Sequence, residues 1–274
     1  MVDLSKTLLG QSTAYVDRYA PGLLYPLPRK SKRDELGVDS SNLPFKGVDI
    51  WNSYELSWLS PSGKPQVAIV EFSFPCDSVN IIESKSFKLY LNSLNQSVFE
   101  SKRHLEDVLI KDLSLAAKSD VGVKIIALDQ AGAIHSGNED RQLIDLLDVS
   151  EFSYEVDTST LTAAKGVLVE QQLVSHLLKT NCPVTGQPDW ASVLIDYSGD
   201  VIDQEGLLRY IVSYRNHQDF HEQCVERIFI DIMDKCAPEK LTVYARYTRR
   251  GGLDINPLRS TESNYSGNIR LSRQ

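Results

Sequence analysis

The sequence predicts an α+β protein made of two tandem copies of one unit, each an antiparallel four-stranded sheet with two helices on one face. Three observations predict it. First, the chain repeats itself at a spacing of about 120 residues. Ile81–Glu100 lines up with Val201–Glu222, which sets Tyr90 on Tyr210, Ser93 on Ser213, Asn95 on Asn216 and Glu100 on Glu222. Second, apolar residues recur at helical spacing in both copies: Phe87, Leu91 and Leu94, then Leu207, Ile211 and Tyr214. Third, a run rich in β-branched and aromatic residues stands before and after each helical stretch.

Taken in order, residues 1–45 read as an extended arm, because Pro21, Pro26 and Pro28 break any regular pattern. The basic cluster Arg29, Lys30, Lys32 and Arg33 is expected to be a solvated patch. The first copy, residues 46–130, has a strand at Gln66–Phe74, two helices, and a strand at Val121–Asp129. Its second helix is expected to follow a capping box, Ser97 to Glu100, and to run to Ala117. Residues 131–160, rich in Asp, Glu, Ser and Gly, read as a linker. The second copy, residues 161–274, repeats the order with strands at Ala191–Ser198 and Leu241–Thr248 and a capping box from Asp219 to Glu222. Each half thus reads strand, strand, helix, helix, strand, strand. Such sheets have open edges, which closure into a barrel of repeats and subunits removes.

Composition narrows the function. The 274 residues are 42% hydrophobic and 24% charged, as in ordinary globular proteins. A formal charge of -8 argues against a broad nucleic-acid face, which needs clustered Lys and Arg. No apolar run reaches the roughly 20 residues of a membrane span, and the first residues lack a signal-peptide pattern, so a cytoplasmic location is expected. The four cysteines form no CxxC pair and read as free thiols.

The chemistry concentrates in CPVTGQPDW, Cys182 to Trp190. Pro183, Gly186 and Pro188 mark an irregular turn that sets a thiol seven residues before the carboxylate of Asp189. A thiolate is a strong nucleophile, and a neighbouring proton carrier lets it work near neutral pH. The plain alternatives are a small buried cysteine and a turn carboxylate. Trp190 is a candidate apolar wall that would raise the pKa of Asp189. His221 and Glu222 open a helix, where Glu222 has a second reading as a capping residue; Phe99 stands at the His221 position in the first copy. His217, His221 and Cys224 suit a soft metal only if one helix carries all three, and a helix start near Asp219 leaves His217 outside. No pair of glycines is spaced as GxG, so a Rossmann nucleotide site is unsupported. Arg249 to Gly252, RRGG, is the candidate phosphate grip.

These motifs carry a resemblance. CPVTGQPDW, FHE (Phe220–Glu222), ESKSFKLYLNS (Glu83–Ser93), GLLYPLPRKSKRDELG and RRGGLDINP together resemble the NADPH-dependent 7-cyano-7-deazaguanine reductases, the nitrile reductases of queuosine biosynthesis. The resemblance implies the tunnelling fold (T-fold), and a homodimer or higher homo-oligomer is expected. It implies that Cys182 attacks the nitrile carbon to give a covalent thioimide and that Asp189 carries protons. It gives substrate binding to Ile82, Glu83, Ser84, His221 and Glu222, and NADPH binding to Ser84, Lys85, Arg250 and Gly251. Two NADPH are used per four-electron reduction, and no metal is expected. Since the first copy lacks the cysteine loop and His-Glu, the site is expected to be composite. The alternatives are a zinc hydrolase similar to GTP cyclohydrolase I and a non-catalytic purine-binding module.

Overall fold

In the computed structural model, which describes residues 15–135, 140–263 and 267–274, the chain divides into two units. Of the described residues, the first takes 15–43, Val48–Gly132 and Arg249–Asp254; the second takes Pro44–Gly47 and the rest. The class is α+β, with antiparallel strands dominating and four long helices among the described residues. No helix among them is long and apolar enough to cross a membrane.

The first unit runs β1 (Pro26–Pro28), α1 (Lys30–Glu35), β2 (Lys46–Leu59), β3 (Pro65–Pro75), β4 (Asn80–Ile82), α2 (Ser84–Asn92), α3 (Lys102–Ala117) and β5 (Gly122–Ile126). Strand β3 lies between β2 and β5, antiparallel to both. Its Ala68, Val70, Phe72 and Phe74 alternate as buried residues, the period of a half-buried strand. Phe87 of α2 packs on them, 4.9 Å from Phe72 and 5.3 Å from Trp51 between ring centroids, and so fixes the helix to that face.

The second unit runs β6 (Ile134–His135), β7 (Gln142–Leu143), β8 (Ala163–Asn181), β9 (Pro188–Ile202), α4 (Gln204–Ser213), α5 (His221–Cys236), β10 (Lys240–Tyr247), β11 (Leu253–Ser260) and β12 (Arg270–Leu271). Its strands follow the order β11-β10-β9-β8-β7, antiparallel except for the β7–β8 pair. Helix α5 lies against β10 and α4 against β8.

The duplication is visible in detail. Both first strands bulge at the same place, Ser53 to Leu56 and Ser175 to Leu178. In both copies a tyrosine of the first helix donates to an aspartate of the second: Tyr90 to Asp112 at 2.7 Å, Tyr210 to Asp231 at 2.6 Å. Ser93 and Ser213 each donate to the carbonyl of that tyrosine and accept from a strap, from Ala20 N–H and Asp157 N–H respectively. The straps also correspond. Tyr25 and Thr162 accept from the N–H of Glu83 and Asp203, and Asp17 and Tyr154 accept from Gln96 and Asn216. Residues 17–25 and 154–162 are therefore equivalent segments, the first within the expected arm and the second running from the end of the expected linker into the second copy.

Other expectations need correction. Where a fourth strand was expected after β5, the described residues form only the two-residue β6. Neither capping box forms: α3 starts later, capped by Ser101 accepting from His104 N–H, and Phe220 precedes α5 without a side-chain cap. Arg29 and Arg33 are not solvated, at 3% and 2% exposure. Arg29 pairs with buried Asp49 and donates to Ser78, while Arg33 donates to the Cys76 carbonyl. The flexible stems let these side chains reach inward, which charge counting along the sequence cannot detect.

Removing one member of a buried ion pair leaves the other uncompensated. Arg29→Met is therefore expected to cost about 3 kcal/mol in urea denaturation, with Arg29→Met/Asp49→Leu recovering most of the loss. Equal stabilities of the single variant and the parent would contradict the pairing.

Candidate functional site

The β8–β9 hairpin places the two reactive groups. Thr180 pairs with Asp189 and Asn181 with Pro188, and the next rung is a hydrogen bond from Cys182 N–H to Gln187 O at 2.8 Å. Side chains alternate faces along a strand, so Thr180, Cys182 and Asp189 share one face. Cys182 and Asp189 are diagonal neighbours there, a relation that brings Cβ atoms within about 7–8 Å. Gly186 closes the loop with its N–H on the Cys182 carbonyl at 3.0 Å and a φ of +67°, where a side chain would be strained. Both residues are buried, Cys182 at 5% and Asp189 at 4% exposure.

The segment before α5 is tied to the same hairpin. Asn181 donates to the His217 carbonyl at 2.8 Å and accepts from Asp219 N–H at 3.3 Å. This fixes the start of α5 beside the cysteine, and His221 Nε2 reaches Asp189 Oδ2 at 3.3 Å. The His221 ring lies flat on Tyr247, with centroids 3.7 Å apart and planes within 7°. Glu222, next on α5, is buried at 2% exposure. Behind these stands Cys224, whose thiol burial pushes well above its ordinary pKa. Trp190 is not the wall beside Asp189. It points to the opposite face, 37% exposed, with the Arg215 guanidinium 5.7 Å from its ring centroid. The wall is Tyr247, a strand residue 58 positions after Asp189 in the chain, with no local sequence signal to mark it.

The first copy, which lacks the cysteine and the His-Glu pair, keeps a degenerate form of this hairpin. Ser60 N–H bonds Lys64 O, Gly63 N–H bonds Ser60 O, and Leu59 bridges Val98 as Asn181 bridges Gln218. Trp58 pairs with Gln66 as Thr180 pairs with Asp189. SPSGKPQ thus matches CPVTGQPD, with Ser60 at the Cys182 position and Gln66 at the Asp189 position. In the helix frame fixed by Asp112 and Asp231, Lys102 rather than Phe99 stands at the His221 position. The shared Pro, Gly and Pro were the available signal; a loop shorter by one residue hid it.

The remaining predicted residues lie in the first unit. Ile82 ends β4, and Ser84 and Lys85 begin α2, both partly exposed. Glu83 is fully buried and caps α2, its two oxygens accepting from Lys85 N–H at 2.7 Å and Ser86 N–H at 2.8 Å. Asp203 caps α4 in the same way. Arg250 and Gly251 sit in a tight turn closed by Arg250 N–H on Leu253 O at 2.8 Å. Gly251 has a φ of +56° with open space where a Cβ would point, so a ligand has backbone access there. Arg249 lies over Tyr54 at 4.7 Å, and Glu55 links this turn to α2: it contacts Gly252 on one side and pairs with Lys88 on the other. Lys88 is therefore paired. Among the described residues no three His, Cys, Asp or Glu side chains are grouped to hold a metal, and His217 precedes α5.

Burial is the largest influence on Glu83 and raises its carboxyl above the ordinary 4.5, against the pull of the two N–H donors. A carboxyl raised on folding contributes stability that is present below the ordinary value and lost as pH rises through the folded one. From acid to neutral pH, thermal unfolding should therefore show the parent losing stability relative to Glu83→Gln; a constant difference would contradict this.

Comparison with known proteins gives two family matches. A profile described as "Nitrile reductase, 7-cyano-7-deazaguanine-reductase N-term" matches residues 15–125, and one described as "QueF-like protein" matches residues 188–266. The first range holds Ile82, Glu83, Ser84 and Lys85; the second holds Asp189, His221, Glu222, Arg250 and Gly251; Cys182 lies between them. Among solved structures, the crystal structure of the archaeosine synthase QueF-Like in the apo form is similar at 18% identity and a TM-score of 0.31, covering 37% of this chain and 100% of that one.

Proposed function

The chain belongs to the 7-cyano-7-deazaguanine nitrile reductase family, and from that premise we propose that it reduces the nitrile of 7-cyano-7-deazaguanine to an aminomethyl group with NADPH in queuosine biosynthesis. The observation that carries this reading is the shared face of Cys182 and Asp189, with His221 Nε2 at 3.3 Å from Asp189.

Asp189 takes the thiol proton, and the Cys182 sulfur adds to the nitrile carbon. The nitrogen then receives a proton from Asp189, leaving a thioimide. His221 is the second carrier in reach and resupplies Asp189. Reduction of the C=N carbon releases the sulfur and leaves an imine, and a second reduction with protonation gives the amine. Four electrons enter in all, and NADPH when bound supplies them as one hydride per molecule. Covalent capture keeps the half-reduced substrate in place between these steps.

The residues of the RRGG turn fit a phosphate-bearing cofactor. Adjacent guanidinium groups suit phosphate, and the open side of Gly251 permits close approach. Arg250, Gly251, Ser84 and Lys85 are proposed to hold NADPH. Glu222 accepts from the donors of the guanine-like edge, and Ile82, Glu83 and Ser84 contribute further contacts when the chain assembles. We read the assembly as a T-fold barrel in a homodimer or higher oligomer, which closes the sheet edges.

Turnover assays should consume two NADPH per nitrile, and Asp189→Asn should lower kcat by about 100-fold or more while nitrile binding persists. Unchanged turnover in that variant would overturn the assignment.

A further inference from the structure

We propose that Tyr247 is a positioning residue for His221, its ring holding the imidazole so that Nε2 meets Asp189. The inference rests on the reading of His221 as a proton carrier.

Two observations carry it. The first concerns the nitrogen that usually orients a working histidine. A hydrogen bond on the second ring nitrogen normally fixes tautomer and tilt. Here Nδ1 of His221 is buried and has no hydrogen-bond partner among the described residues, so the ring is oriented by the Asp189 contact and by the Tyr247 stack. The second is the geometry of the stack. Neutral aromatic rings prefer edge-on or offset arrangements to a full face-to-face contact. The other pairs around α4 and α5 obey this, Tyr210 with Tyr214 at 85° and Tyr214 with His217 at 79°. His221 and Tyr247 are parallel within 7° at 3.7 Å. The shared frame of β10 and α5, rather than ring preference, sets this contact, and it fixes the tilt that points Nε2 at Asp189.

Tyr247 is itself held firmly. It is fully buried in β10, pairs with Ala191 of β9, and its carbonyl accepts from Gln274 Nε2 at 3.0 Å. Its hydroxyl lies against Thr180 of β8 and Cys224 of α5. Asp189 on β9, which meets the imidazole Nε2, also interacts electrostatically with Lys179 on β8, with Cys224 on α5 and with Tyr247 itself.

The test compares Tyr247→Leu with Tyr247→Phe. The leucine variant removes the π face; it should lower kcat about tenfold or more and leave KM for the nitrile nearly unchanged. Phenylalanine keeps the ring and should restore kcat. A folded leucine variant with the parent kcat overturns the proposal, as does failure of phenylalanine to rescue. If leucine prevents folding, Tyr247→Met keeps bulk without the flat ring; it should lower kcat as leucine would, and the parent kcat refutes the idea. His221→Asn separates the two layers. Loss of turnover there with a silent Tyr247→Leu removes only the positioning role, whereas normal turnover in His221→Asn removes the proton-carrier reading itself.

Discussion

One backbone hydrogen bond, from Cys182 N–H to Gln187 O, continues the β8–β9 ladder one rung past its last paired residues, and the candidate site depends on it. Because side chains alternate along a strand, that rung decides which face the sulfur takes. A slip of one residue would send the thiol to the exposed side with Trp190 and leave Asp189 alone inside. Gly186 makes the rung affordable in backbone terms by taking the positive φ that the turn requires. The Asn181 bonds to His217 and Asp219 then carry the same register into α5, so His221 inherits its place from the hairpin.

Duplication explains how such a site arises without a new scaffold. Both copies retain the bulge, the loop, the tyrosine–aspartate link between helices and the strap that docks on them. These features satisfy buried polar groups and are needed by either copy to fold. The reactive side chains are free of that demand. The first copy carries Ser60, Gln66 and Lys102 where the second has Cys182, Asp189 and His221, and its scaffold is the same. The proposed chemistry and the stability thus rest on different residues of one design, apart from Glu83, which is both a helix cap and a proposed ligand contact.

The sequence made the repeat legible because buried faces impose periodicity, as in Ala68, Val70, Phe72 and Phe74, and the local motif CPVTGQPDW announced its own turn. What it hid were relations between distant residues. The stack of His221 on Tyr247 joins positions on different elements, and nothing in RYTRR marks a tyrosine as its floor. Arg29 looked solvated because its partner Asp49 lies 20 residues on, across a strand boundary. The helix starts were misplaced because Ser97 and Asp219 satisfy the capping pattern, yet both segments are pulled into extended pairing with the preceding hairpin. Tertiary pairing there outweighed local preference.

The account stands on a thiol that captures a nitrile beside a carboxylic acid. Intact-protein mass spectrometry of the chain mixed with 7-cyano-7-deazaguanine and no NADPH tests this most directly. The account predicts a single adduct of the substrate's mass, mapped to the peptide bearing Cys182, absent from Cys182→Ala and still formed by Cys76→Ala. No adduct, or one borne by another cysteine, would contradict it.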